Sequence, residues 1–168
     1  MNSIVVYESL WGNTASVARA IADGIGGRAF ATDEVSAADV AGADLIVAGS
    51  PVFGFSLPTE SMRKTILESE SAAETPPDLS HPSLRSWLEE LPAGHGRSAA
   101  FETRIWWSPR GATGTIEKRL SRLGYPPIAK AQKFVVRDKY GPLREGELER
   151  AQAWGRRLKA ELDIRDAA

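Results

Sequence analysis

Short runs of β-branched and apolar residues alternate along the chain with longer segments in which apolar residues recur every three or four positions. Runs of the first kind predict five strands, at residues 4–7, 28–32, 45–48, 98–102 and 128–136. Segments of the second kind predict helices between and after these strands. In the first helix, Val17, Ile21 and Ile25 line one face, and Gly26 and Gly27 end it.

The other predicted helices begin at residues that favour helix starts or carry a clear apolar stripe. The helices predicted at residues 36–41 and 83–91 begin at the capping residues Ser36 and Ser83, and another helix begins at Pro58. The last two helices are recognised by their apolar faces, which consist of Ile116, Leu120 and Leu123 before Gly124, and of Leu148, Ala151, Gly155, Leu158 and Leu162.

Strands that alternate with helices predict a parallel sheet with helices on both faces, because each parallel connection crosses over the sheet. We therefore expect a three-layer α/β sandwich around a five-stranded parallel sheet, in one domain over residues 1–168. Residues 69–96 predict a surface insertion between the third helix and the fourth strand. We expect this insertion at the amino-terminal edge of the sheet, opposite the ligand site.

Composition restricts the possible chemistry. Hydrophobic residues make up 42% and charged residues 26% of the 168 positions, which is typical of a globular domain. There is no cysteine, which excludes disulfides, Cys-ligated metal centres and thiol catalysis. Any redox reaction would therefore depend on a bound cofactor.

The net charge of −1 conceals an asymmetry between two parts of the chain. Residues 1–96 hold 5 Lys and Arg against 13 Asp and Glu, and residues 97–168 hold 16 against 9. The basic residues are spread over periodic elements, which favours a solvated face over a nucleic-acid site. A signal-peptide pattern is missing at the amino terminus, and the longest uncharged run, 45–59, is too short to span a bilayer. We expect a cytoplasmic protein without nucleic-acid or membrane partners.

Parallel sheets bind ligands at the carboxyl ends of their strands, which directs attention to the loops after strands one, three and four. The first loop opens a helix and reads Glu8-Ser9-Leu10-Trp11-Gly12-Asn13-Thr14. Its backbone N–H groups, with the side chains of Ser9, Asn13 and Thr14, can cradle a phosphate, although Asn13 or Thr14 could simply cap the helix. The lysine of a Walker loop is missing, which argues against a nucleoside triphosphatase.

Ser9, Gly12 and Thr14 directly after a strand resemble the phosphate loop of flavodoxins, with Trp11 in place of that pattern's second hydroxyl residue. The resemblance implies the flavodoxin-like strand order 2-1-3-4-5 and FMN as the cofactor. It also implies a set of phosphate-loop contacts from Ser9, Leu10, Trp11, Gly12, Asn13 and Thr14.

The second loop, residues 49–58, resembles the flavodoxin loop that lies against the flavin ring. Its two phenylalanines, two glycines and two prolines can form a rigid apolar wall, although each phenylalanine could be an ordinary loop-core residue. The resemblance implies ring contacts from Ser50, Pro51, Val52, Phe53, Gly54 and Phe55.

The third loop, residues 103–113, carries Trp106 and Trp107 side by side, and we expect one of them to face the ligand. The stretch 101–104, Phe-Glu-Thr-Arg, resembles a loop in a branch of small flavodoxin-domain proteins. That resemblance implies ring contacts from Thr103, Arg104, Ile105 and Trp106.

Two histidines and a set of glycines are weaker candidates. His81 and His95 lie in a Pro/Gly-rich connection without metal-ligand spacing, so we expect both to be solvated. Gly24, Gly26 and Gly27 end a helix instead of following a strand, which indicates a cap and not a dinucleotide-binding loop.

The function that these observations favour is electron transfer through FMN to a redox partner protein. The alternatives are an FMN-dependent NAD(P)H/quinone-type oxidoreductase and a flavin-free interaction module. Arg104 and Arg110 in a loop without carboxylates between Thr103 and Thr113 predict a raised potential for forming the anionic reduced flavin. The same positive charge predicts an acidic partner surface.

Overall fold

The computed structural model of the protein describes residues 1–70 and 74–168. One parallel sheet has the order β2-β1-β3-β4-β5 and consists of β1 (Ser3–Tyr7), β2 (Arg28–Ala31), β3 (Leu45–Pro51), β4 (Arg97–Ile105) and β5 (Gln132–Val136). The helices of the described residues are α1 (Asn13–Ile25), α2 (Ala37–Ala41), α3 (Glu60–Glu70), α4 (Leu84–Glu90), α5 (Thr113–Arg122) and α6 (Glu147–Asp166). The predicted fold class and strand order are confirmed.

Two hydrophobic layers cover the sheet, one on each face. Helices α1 and α6 pack on one face, and α2, α4 and α5 contribute to the core of the other. The apolar stripe of α1 is buried as predicted. In α5, Ile116 and Leu120 are buried as predicted, whereas Leu123 is the C-cap residue and is partly buried. In α6, Trp154 is buried and Leu148 is exposed, so the predicted stripe is wrong at its first position. The indole of Trp154, and not the side chain of Leu148, packs against Phe134 of the sheet.

Helices α1 and α6 approach each other closely through a pair of glycines. A Cβ atom at Gly24 would overlap the backbone of Gln152, and one at Gly155 would overlap the backbone of Ile21. Both helices can therefore pack directly against the sheet and against each other. Gly24 has a packing role here, and Gly26 forms the left-handed cap that the sequence predicts.

Strands β3 and β4 extend further toward their carboxyl ends than their apolar cores suggest. Ser50 pairs with Glu102, and Pro51 with Thr103, so Ser50, Pro51 and Thr103, which the sequence predicts in loops, belong to the sheet. Neighbouring strands supply hydrogen-bond partners at these positions, which prolongs each strand beyond its apolar run. The loops that follow are correspondingly shorter and start from a rigid base.

The described residues between β3 and β4 include two helices, of which the second, α4, packs on the face of the sheet. Arg63 and Ile66 are the residues that α3 buries, whereas α4 buries Leu84 and Leu88 in the core beneath the sheet. Helix α4 leads to the start of β4, which lies at the amino-terminal edge of the sheet. The segment before α4 therefore lies at the opposite, carboxyl edge. The single-domain assignment remains a prediction.

The prediction that the insertion lies at the amino-terminal edge is wrong for residues 75–84, although Gly96 does lie at that edge, against Ala43 and Asp44. The backbone N–H of Asp78 donates to Leu10 O at 2.8 Å, and the indole of Trp11 donates to Thr75 O at 2.9 Å. Leu10 and Trp11 follow β1 at the carboxyl edge. Residues 75–84 therefore pack against the first loop, and residues 71–73 lie outside the described part of the chain.

Candidate functional site

A cleft of about 510 Å³ opens at the carboxyl edge of the sheet, between the ends of β1, β3, β4 and β5. Many predicted site residues line this cleft, namely Leu10, Trp11, Asn13, Thr14, Pro51, Val52, Phe53, Gly54, Phe55, Thr103, Arg104 and Ile105. The remaining predicted residues, Ser9, Gly12, Ser50 and Trp106, are not part of its lining. The three loops chosen from the sequence thus meet around one cavity.

The first loop presents the start of α1 to the cleft. Gly12 is the N-cap and adopts the left-handed region at φ 90°, and as a glycine it offers no capping side chain to the N–H groups of Asn13 and Thr14. The first-turn N–H groups of Asn13 and Thr14 are therefore available to an anion. Asn13 donates instead from its side chain to Tyr140 O, at 3.0 Å.

Ser9 lies beneath the first loop and shapes it. Its hydroxyl accepts hydrogen bonds from Gly12 N at 3.1 Å and from Ala15 N at 3.2 Å. Thr14, by contrast, faces the cleft, where its hydroxyl shares a 2.8 Å hydrogen bond with that of Thr103. The two hydroxyl residues of the motif therefore differ in position: one supports the loop, and the other lines the cavity.

The second loop forms a tight turn that carries two aromatic rings. Phe53 and Ser56 pair through backbone hydrogen bonds, and Gly54 and Phe55 both have positive φ, at 52° and 60°. Left-handed residues at both central positions are typical of a tight hairpin turn, and a phenylalanine there is strained. Phe53 packs on Trp11 with ring centroids 5.6 Å apart, and Phe55 is 43% exposed at the rim.

The two tryptophans of the third loop have different surroundings. Trp107 lines the cleft and meets Phe55 edge to face, with ring centroids 6.0 Å apart. Trp106 is 67% exposed and lies outside the cleft lining. Of the adjacent pair, Trp107 is therefore the residue that the structure places at the cavity.

Arg104 is a buried cation at the base of the third loop. Its Nη1 lies 3.5 Å from the Glu102 carboxylate, which is fully buried and also accepts hydrogen bonds from the backbone and hydroxyl of Thr113. The expectation from the sequence considered carboxylates only between Thr103 and Thr113, and Glu102 lies directly before this range. Because Glu102 lies against Arg104, its negative charge offsets part of the positive charge of Arg104.

A fourth wall comes from the last residue of β5 and the residues that follow it, which the sequence did not single out. Val136, Arg137, Asp138 and Lys139 line the cleft, and Tyr140 packs edge to face on Trp11 at 5.0 Å. Glu70, at the end of α3, accepts hydrogen bonds from Tyr140 and Lys139. Since β5 is also a parallel strand, its carboxyl end could have been chosen by the rule that selected the other loops.

Beneath the first loop lies a buried polar cluster. Glu8, fully buried, accepts hydrogen bonds from Arg63 Nη1 at 2.8 Å and Leu84 N at 3.0 Å. Burial raises the pKa of Glu8 above its ordinary value, against the opposing influence of Arg63. The prediction that His81 is solvated is wrong, because its ring accepts a hydrogen bond from Ser9 N and is buried; His95 is exposed as expected.

Two properties of the described residues bear on the site. Within residues 1–70 and 74–168, no group of three or more His, Asp or Glu side chains is arranged to hold a metal ion. Each helix in that part of the chain is too short or too polar to cross a membrane.

The flavodoxin family model matches residues 5–154 of the chain, whereas curated proteins gave no significant match. Among solved structures, an archaeal flavodoxin aligns with a TM-score of 0.67 at 19% identity, covering 97% of this chain and 99% of that one. A WrbA-like flavodoxin from Agrobacterium tumefaciens gives 0.62 at 18% identity, covering 97% and 98%. Rubredoxin oxygen:oxidoreductase from Desulfovibrio gigas gives 0.63 at 15%, but 99% of this chain spans only 37% of that one. Since the family match extends over most of the sequence, the chain belongs to the flavodoxin family.

Proposed function

We propose that this protein binds FMN in the cleft at the carboxyl edge of the sheet and transfers electrons through it. The observation that carries the proposal is the meeting, in one cavity, of the first-turn N–H groups of Asn13 and Thr14 with several aromatic walls. The cavity volume of about 510 Å³ falls within the roughly 300–1,000 Å³ typical of small-molecule sites. Family membership adds independent support for a flavin.

The phosphate of FMN would lie at the start of α1. The N–H groups of Asn13 and Thr14 point toward the cleft end of the helix, where the helix dipole favours negative charge. The Thr14 hydroxyl adds a neutral donor at the same place. The cations that line the cleft, Arg104, Arg137 and Lys139, come from β4 and from the chain after β5. The phosphate would thus be held mainly by uncharged donors.

The aromatic residues would hold the flavin ring and limit its contact with water. Trp11 and Phe53 form one wall, and Phe55 and Trp107 form another at the rim. Offset and edge-to-face contacts of this kind are favourable for a flat conjugated ligand. The bound flavin supplies the one- and two-electron redox chemistry, and the protein supplies orientation and electrostatics.

A partner would dock at the rim of the cleft. Phe55, Trp106 and Trp107 are exposed there, and exposed aromatic residues are enriched in protein interfaces. Arg137 and Lys139 line the same opening, with Asp138 as the carboxylate between them. Lys139 is paired with Glu70, so Arg137 is the cation that would meet an acidic partner surface at this rim.

Titration of the purified apoprotein with FMN and with riboflavin tests the proposal. We expect saturable binding of both flavins at one site, with tighter binding of FMN because riboflavin lacks the phosphate. Equal affinities would remove the role assigned to the start of α1. Lack of binding to either flavin would favour the flavin-free interaction module.

A second measurement separates electron transfer from self-sufficient catalysis. We expect the FMN-loaded protein to accept electrons from a chemical reductant or a reductase protein and to pass them to a one-electron acceptor. Rapid turnover with NADPH or NADH and a quinone, without another protein, would instead support an NAD(P)H/quinone-type oxidoreductase.

A further inference from the structure

His81 is a buried histidine whose protonation state is fixed by its contacts. Its Nε2 accepts a hydrogen bond from Ser9 N at 3.1 Å, so the ring is neutral and carries its proton on Nδ1. That nitrogen lies 4.0 Å from the Asp78 carboxylate, and the His81 side chain is 5% exposed. The imidazole thus serves as an acceptor beneath the first loop.

Ser9 links this imidazole to the start of α1. Its backbone donates to His81, while its hydroxyl accepts from Gly12 N and Ala15 N. A shift of the Ser9 backbone would therefore alter the turn that exposes the N–H groups of Asn13 and Thr14. These groups are the proposed phosphate donors.

The backbone of His81 is held in place from two directions. Arg63 Nη2 donates to His81 O at 2.5 Å, and its Nη1 donates to Glu8, whose other oxygen accepts from Leu84 N. Because α3, β1 and the start of α4 all contribute to this anchor, the imidazole cannot move far when its proton count changes.

We propose that His81 is a positioning residue for the phosphate loop, and that protonation of its imidazole weakens FMN binding by breaking the hydrogen bond from Ser9. The proposal rests on the proposed FMN function. In the protonated ring both nitrogens are donors, so Nε2–H would face Ser9 N–H at a distance suited to a hydrogen bond. The Ser9 donor then loses its acceptor, and the loop must rearrange to satisfy it.

The charged groups around His81 act in both directions. Burial lowers the pKa of His81 below its ordinary value of 6.5, and Arg63 acts in the same direction. Asp78 in the same segment, together with Asp33 and Glu34 after β2, favours the charged ring, and Glu8 offsets Arg63. Since burial is the largest influence, the neutral form prevails at pH 7 and the change occurs below pH 6.5.

The first test follows the hydrogen bond in the protein without flavin. In a pH titration observed by 15N NMR, we expect the Ser9 amide and the His81 ring nitrogens to change together, with one midpoint below 6.5. Asp78→Asn removes a carboxylate that favours the charged ring, so it should lower that midpoint. A Ser9 amide that does not respond when His81 titrates would overturn the positioning role.

The second test measures FMN affinity from pH 7.5 to pH 5 in the wild type and in His81→Gln, whose amide can accept a hydrogen bond but does not titrate. His95→Gln is the matched control at an exposed histidine. FMN loses charge itself in this range, since a phosphate has its second pKa near 6, and this loss should appear in all three proteins. We expect an additional loss of about tenfold in the wild type and in His95→Gln, the magnitude of one buried donor left without an acceptor.

Identical pH profiles for the wild type and His81→Gln would overturn the proposal, as would tighter FMN binding in acid by the wild type. The latter result would mean that the imidazolium attracts the phosphate. If the wild type binds no FMN at pH 7.5, the proposed function fails. The Ser9 amide titration then still decides whether His81 positions the loop.

Discussion

Arg63 donates a 2.8 Å hydrogen bond to the carboxylate of Glu8, and both side chains are buried at the junction of the first loop with the segment that precedes α4. The pair joins β1 to α3, and Arg63 continues the connection to the backbone of His81. A charge pair removed from water contributes little net stability, but the loss of one member leaves the other charge without compensation. We therefore expect the pair to matter chiefly when it is broken.

Replacement of Arg63 by leucine should destabilise the protein by about 3–5 kcal/mol, the range for breaking a buried ion pair. Burial already raises the pKa of Glu8, and loss of Arg63 should raise it further. A raised pKa means that the folded state binds the proton more tightly, so the variant should lose stability as the pH rises through that pKa. Urea unfolding at pH 5 and pH 7.5 should show the larger deficit at pH 7.5.

Arg28→Leu provides the matched control, because Arg28 pairs with Asp39 while its own side chain is 62% exposed. Such pairs are screened by solvent, and we expect a much smaller change in stability. A similar loss in both variants would show that the buried position of Arg63 is not what makes it important.

Trp106 and Trp107 allow a second comparison between neighbours. Trp107→Ala removes the ring that lines the cleft and should weaken binding of FMN and riboflavin by about 0.5–1.5 kcal/mol, the range for an aromatic contact. Trp106→Ala removes an exposed ring outside the cleft and should leave both affinities unchanged. Flavin fluorescence titration measures both, and a larger effect at Trp106 would reverse the assignment.

Thr14 should distinguish FMN from riboflavin. Thr14→Ala removes a hydroxyl of the cleft, and we expect FMN affinity to fall by about 1–3 kcal/mol, as for a hydrogen bond to a charged group. Riboflavin should be much less affected, because it lacks the phosphate. Thr115→Ala, at an exposed threonine of α5, should change neither affinity. Equal losses for both flavins would indicate damage to the fold.

The sequence was sufficient for the features that local patterns determine. Buried strands, apolar helix faces and the Ser36 and Ser83 caps were predicted because each depends on residues close together in the chain. The position of the insertion was not, because it depends on hydrogen bonds between residues 9–11 and residues 75–81, which are distant in sequence. Burial of His81 has the same long-range cause.

The pairing of Arg104 with Glu102 at the cleft was also not predicted from the sequence. Glu102 and Arg104 are two residues apart in β4, so their side chains lie on the same face of the sheet. The buried Glu102 carboxylate contacts Arg104. A count confined to the loop excludes Glu102 because it lies within the strand. Because β4 continues to Ile105, Glu102 and Arg104 both belong to the strand, and both charges must be counted at the cleft.

The charges of Arg104 and Glu102 should set the potential at which the flavin accepts its second electron and becomes anionic. A cation about 6–8 Å away, at an effective dielectric of about 20–40, stabilises an anion by roughly 1–3 kcal/mol, and about 1.4 kcal/mol corresponds to ~60 mV for one electron. Arg104→Gln should therefore lower this potential by tens of millivolts. Glu102→Gln should raise it by a similar amount, and the double variant should lie near the wild type, because the two charges oppose each other.

Arg110→Gln is the control, since Arg110 is exposed and outside the cleft lining, and its effect should be small and should disappear at high salt. Potentiometric titration of the four FMN-loaded variants and the wild type measures these shifts. An unchanged potential in both single variants would mean that the buried pair does not act on the flavin, and a larger shift in Arg110→Gln would move the electrostatic control from the cleft to its rim.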